Sequence, residues 1–118
     1  LKTIKSNNIT VFDIDDTLVM YKNFRVKTDK TIEFDYGDEK IYLTPHKFHV
    51  TFLKHCFNRG DYVIAWSKNS YEWCEQVIKK LKLTKYVHVC MSKPSRHVDD
   101  KKDLSSIVGD SLYLPFEE

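Results

Sequence analysis

The chain has 118 residues, 42% of them hydrophobic and 14% aromatic, with 19 basic against 17 acidic side chains and a net charge of +2. That length suits one domain with a real core. The charge balance carries no electrostatic signature for nucleic acid, and no apolar run approaches the length of a membrane span.

In chain order, Ile9 to Ile14 reads as a short, buried, β-branched strand. It runs straight into the acidic stretch VFDIDDTLV, where Asp13, Asp15 and Asp16 fall within four positions. Two such charges repel by roughly 4 kcal/mol at ~4 Å and an effective dielectric near 20. So much charge directly after a buried strand points to a cation and a reaction. Residues 18–44 are expected to form a small insert. Inside it, TIEFDYGDEKIYLT alternates apolar and polar residues on both sides of Gly37, a hairpin pattern.

TPHKFHVTFLKHCFNRG predicts a helix. Thr44 is expected as the N-cap, Pro45 at the first helical position and Gly60 as the stop, with a stripe of Phe48, Phe52, Leu53, Cys56 and Phe57. YVIAW is a second buried strand. NSYEWCEQVIKKLKL is a second helix, with Asn69 and Glu72 at capping-box spacing and a stripe of Cys74, Val77, Ile78 and Leu81. YVHVC predicts a third strand, SRHV a short fourth, KKDLSSIVG a brief helix and SLYLPF a closing strand. Strands alternating with helices predict an α/β fold with a mostly parallel sheet covered on both faces.

Cys56, Cys74 and Cys90 have no CxxC spacing and lie in apolar sequence. They read as buried thiols in a reducing, cytoplasmic setting, not as a disulfide frame or a zinc site. No GxGxxG or GxxxxGK[ST] loop is present, so phosphate chemistry would need another device.

In open α/β sheets ligands bind outside the carboxyl ends of the strands. Asp13 and Asp15 fall at that end of the first strand, Ser67 at the end of YVIAW, Lys93 just past the third strand, and Asp99 and Asp100 after SRHV. This ordered set resembles the haloacid dehalogenase superfamily of phosphotransferases, over nearly the whole chain. DIDDT matches the DxDxT motif with Asp13, Asp15 and Thr17. Ser67 matches the strand-end Ser/Thr, Lys93 the single lysine, and Asp99 with Asp100 the acidic pair.

The resemblance implies a Rossmann-like three-layer α/β/α sandwich with a β-hairpin flap as minimal cap. It implies a phosphatase of phosphate monoesters that works through an aspartyl-phosphate. Asp13 would be the nucleophile and Asp15 the acid and base. Thr17, Ser67 and Lys93 would hold the phosphate, with Lys93 also strengthening the transition state. Mg2+ would be held by Asp13, the backbone carbonyl of Asp15, and the Asp99–Asp100 pair. Asp16 stands where relatives often have Gly, and its role is open. An alternative assignment of the last two motifs uses Lys102 in KKDLS and Asp110 in VGDS.

With so short an insert, the site is expected to be open to a phosphorylated small molecule or a macromolecular end. Tyr21, Arg25, Tyr36 and Tyr42 are candidate substrate contacts or ordinary hairpin packing. Alternatives to the monoester phosphatase are a nucleic-acid end phosphatase and a catalytically idle binding module. His46 and His49, three apart on a helix without a carboxylate partner, read as solvated or half-buried residues. His97 lies beside the acidic pair. Lys79, Lys80, Lys82 and Lys85 read as the wet end of a helix.

Overall fold

The computed structural model describes residues 8–100 and 111–117. Among these, six strands and two helices follow in the order β1 (Ile9–Asp13), β2 (Val19–Met20), β3 (Ile32–Tyr36), β4 (Glu39–Pro45), α1 (Lys47–Asn58), β5 (Tyr62–Ser67), α2 (Tyr71–Lys80) and β6 (Val89–Ser92). β1, β5 and β6 form a parallel sheet in that order, and β2, β4 and β3 form an antiparallel one. The molecule is therefore a small α/β protein with an antiparallel insert.

Two-residue alternation builds the parallel sheet. Phe12 on β1 and Val63 and Ala65 on β5 are buried on one face, and Phe12 packs its ring against Phe52 of α1 at 6.0 Å. Ile9 and Val11 point the other way and are 64% and 38% exposed. Both crossovers, β1 to β5 and β5 to β6, advance in the same direction. Right-handed connection then sets α1 and α2 on the same face. The described residues thus cover one face of the sheet, and the expected second helical layer is not among them.

The hairpin forms as the alternation predicts. Phe34, Ile41 and Leu43 turn inward while Glu33, Asp35 and Lys40 stay exposed. Tyr36 pairs with Glu39 around a two-residue turn, and Gly37 takes φ 62 there, a backbone region hairpin turns reserve largely for Gly and Asn. Phe34 is fully buried and meets Trp73 of α2 at 5.6 Å, so the insert is rooted in the core.

The helix starts differ from expectation. Thr44 and Pro45 belong to β4, paired with Met20 and Val19. The ladder with β2 claims them, and His46 becomes the N-cap of α1, its Nδ1 accepting from the His49 N–H at 3.2 Å. At α2 the cap is Ser70, which accepts from the Trp73 N–H, because the Asn69 side chain is drawn elsewhere. The apolar stripe of α2 is as read, with Cys74, Val77 and Ile78 buried and Trp73 added to it. Phe48 leaves the α1 stripe, 42% exposed, and His49 takes its place inside.

The later strands shift or vanish. Thr84–Tyr86 is a turn of 3-10 helix, and β6 starts only at Val89. His88 takes a ladder position instead, its N–H donating to Val63 O and its Nδ1 accepting from Val63 N. Residues 93–100 are described and carry no strand. SRHV has no buried face to hold one, and Val98 is 95% exposed. Residues 111–117 run without regular structure in place of a closing strand. The helix expected at KKDLSSIVG lies outside the described residues. Among the described residues, no helix is long and apolar enough to cross a membrane.

Candidate active site

The sheet register brings the first three motifs to one edge. Asp13 ends β1 opposite Trp66, Ser67 ends β5 opposite Ser92, and Lys93 follows β6 with its N–H on the Ser67 carbonyl at 2.8 Å. Lys93 Nζ stands 3.7 Å from Asp13 Oδ1, with both side chains 33% exposed. Burial raises the pKa of Asp13 and the charge of Asp15 adds to the rise, while Lys93 and the Ile14 N–H oppose it.

The turn after β1 is tightly wound. The Ile14 carbonyl accepts from the N–H groups of Thr17, Leu18 and Val19, and Asp16 N donates to Val19 O at 2.8 Å. Asp16 closes the turn with φ 57, in the left-handed region that Gly enters freely and Asp and Asn tolerate. Its Oδ1 also accepts from the Tyr21 N–H at 3.0 Å. Asp16 is thus a backbone device, which accounts for a third acid among the three.

Asp15 is the most heavily bonded carboxylate of the site. Its Oδ1 accepts from Tyr21 Oη, from Trp73 Nε1 at 2.8 Å and from Asn69 Nδ2 at 3.3 Å. Its Oδ2 accepts from Ser67 Oγ at 2.6 Å. Ser67, fully buried, also accepts from the Asn69 N–H. Burial, and then the Asp15 carboxylate, push the Tyr21 phenol up, so it stays a protonated donor.

Thr17 is half-buried, and its carbonyl accepts from His49 Nδ1 at 2.7 Å. His46 and His49 are not solvated. They are 0% and 3% exposed and stack with ring centroids 3.7 Å apart. His49 Nε2 accepts from the Leu114 N–H at 2.8 Å, and His46 Nε2 bonds the Leu114 carbonyl at 2.9 Å. Tyr113 Oη donates to the Asp16 carbonyl at 3.0 Å. The segment at 111–117 is therefore fastened to the DIDDT turn. Burial lowers the pKa of His49 and His46 lowers it further, against the pull of the Thr17 carbonyl.

Asp99 and Asp100 are exposed on the chain after Lys93. Among the described residues no three His, Cys, Asp or Glu side chains form a group that could hold a metal, so the structure does not gather this pair with Asp13 and Asp15. Lys102 and Asp110 lie outside the described residues. His97 is exposed. Arg25 pairs with Glu39 at 3.6 Å, Tyr36 donates to Asn69 Oδ1 at 3.0 Å, and Tyr42 is half-buried in the hairpin. Lys79, Lys80, Lys82 and Lys85 are exposed, as read, and Lys80 also donates to the Glu33 carbonyl. Cys56, Cys74 and Cys90 form no disulfide among the described residues, the first two buried and Cys90 half-buried.

The sequence reading missed Asn69 and Trp73 as partners of Asp15. One signal existed for Trp73: a buried indole N–H needs an acceptor, and it lies one turn past a strand end that faces the acidic motif.

A model of the NLI interacting factor-like phosphatase family matches residues 8–113. No curated protein and no solved structure matches the chain.

Proposed function

The chain belongs to the NLI interacting factor-like phosphatases, a haloacid dehalogenase-like family, and from that premise we propose that it is a Mg2+-dependent phosphatase of phosphate monoesters. The observation that carries the reading is the Asp13–Lys93 pair at 3.7 Å, with Asp15 two residues on, at the carboxyl edge of the sheet.

In this reading Asp13 attacks phosphorus, and the ester oxygen leaves with a proton from Asp15. Water then attacks the aspartyl-phosphate, and Asp15 takes the proton back. Lys93 sits where charge builds on the phosphoryl oxygens, which is where a fixed cation contributes most. Ser67 links Asp15 to the phosphate side, and Thr17 holds the turn that presents both acids.

The donors present suit a hard cation. Asp13 offers a partly exposed carboxylate and Asp15 a backbone carbonyl. Mg2+ commonly takes one or two carboxylates together with waters and substrate phosphate. When bound it would neutralise carboxylate and phosphate charge. Asp99 and Asp100 are the proposed further ligands.

The same reading treats residues 1–118 as one catalytic domain, with residues 18–44 as its insert, and completes the fold as a three-layer sandwich. A reducing, cytoplasmic setting belongs to the same reading. The test is phosphate release from 4-nitrophenyl phosphate with and without Mg2+. Wild-type protein is expected to turn over only with the metal, and Asp13→Asn to lose activity by at least about a thousandfold. An Asp13→Asn protein with full activity overturns the assignment.

A further inference from the structure

A carboxylate has about four lone-pair sites, two on each oxygen. Asp15 spends them unevenly. Oδ1 takes three donors, from Tyr21, Trp73 and Asn69, which leaves it no room for a substrate group. Oδ2 takes one donor, Ser67, and keeps a position open. The three donors on Oδ1 come from three places: the insert, the first turn of α2 and the loop between β5 and α2. A fourth group stands behind them. Tyr36 on β3 donates to Asn69 Oδ1, which fixes the amide with its NH2 toward Asp15. The insert therefore reaches Asp15 twice, directly through Tyr21 and through Asn69 by way of Tyr36.

We propose that Tyr21, Trp73 and Asn69 are positioning residues that anchor Asp15 by Oδ1 and leave Oδ2 as the atom that carries the proton. The proposal rests on the phosphatase reading and deepens it. It also gives the insert a catalytic duty: it holds the acid in place. In the step concerned, the Asp13 oxygen–phosphorus bond forms, the ester oxygen–phosphorus bond breaks, and the proton on Oδ2 moves to the departing oxygen. An aliphatic alkoxide is a poor leaving group and needs that proton early. A nitrophenolate leaves without it. Anchoring of Oδ1 should therefore matter for aliphatic monoesters much more than for activated aryl ones.

The experiment compares kcat/KM for glycerol 2-phosphate and for 4-nitrophenyl phosphate in the full chain. That ratio reports the first half-reaction, in which the leaving group departs. The variants are Tyr21→Phe, which deletes one hydroxyl, and Trp73→Phe, with circular dichroism as the check of folding. Loss of an oriented general acid costs on the order of 10²–10⁴-fold. Partial loss of its anchoring is expected to cost the aliphatic ester roughly tenfold or more, and the aryl ester only a few-fold. A uniform loss on both substrates, or none on either, overturns the positioning role while the phosphatase reading stands. Wild-type protein inactive on both substrates overturns the two together.

Discussion

The acidic turn is held from two sides, and the two grips differ in kind. On the insert side, Tyr21, Asn69 and Trp73 close on a side chain, the Asp15 carboxylate, with donors that stay neutral. On the tail side, His49 and Tyr113 close on backbone, the carbonyls of Thr17 and Asp16. The first grip sets the direction of the Asp15 carboxylate and is backed by the core through Phe34 and Trp73. The second sets the path of the main chain and runs through an imidazole whose pKa burial lowers. The first grip is thus expected to add little to the pH dependence of stability, and the second to carry it.

The largest effect is expected at the root of the insert. Phe34→Ala removes a fully buried ring, and such truncations cost about 3–5 kcal/mol. Urea melts should show that loss. A loss under about 1 kcal/mol would mean the insert is not rooted in the core.

Next comes the tail grip. His49→Ala leaves the Thr17 carbonyl and the Leu114 N–H without their partner, at about 1–3 kcal/mol for each group left buried. His49→Gln can donate to the first and accept from the second, and is expected to recover part of the loss. Failure of Gln to improve on Ala would reduce the histidine to packing.

The pH dependence follows from the same residue. The pKa of His49 is lowered in the folded state, so below its unfolded value of about 6.5 the unfolded chain binds the proton first. Its share of stability is complete above that value. It falls as pH drops through 6.5 toward the lower folded pKa, and then levels off. Melts at pH 7.5 and 5.5 should show wild-type protein losing more stability on acidification than His49→Gln. Equal slopes would remove His49 from the account.

The smallest effect belongs to the turn itself. Asp16→Ala puts a Cβ residue without a compensating carboxylate at φ 57, which costs roughly 1–2 kcal/mol. Asp16→Gly should cost less, because Gly enters that region freely. Thermal melts that rank Ala above Gly would contradict the backbone role.

The edge of the sheet was readable because its signals are local. Each strand is a short apolar run, and Asp13, Ser67 and Lys93 simply follow where a run ends. The partners of Asp15 were not readable in the same way. Trp73 and Asn69 stand 58 and 54 residues from it in sequence, and each has an ordinary local explanation, as helix stripe and helix cap. His46 and His49 were misread for the same reason. Their burial depends on Leu114, up to 68 residues away, in a stretch whose apolar run resembled a strand. The shift of the α1 cap from Thr44 to His46 has a tertiary cause too, since Thr44 and Pro45 are claimed by a two-residue strand too short to leave a pattern.

The insert combines a fixed base with an open summit. A Cβ built at Gly37 meets nothing within 4 Å, while Phe34, three residues away, is wholly enclosed. Lengthening a surface turn adds little entropic cost, about 0.6 kcal/mol for each doubling. The turn at that summit should therefore accept added residues, while the register of β3 and the anchoring of Asp15 stay unchanged.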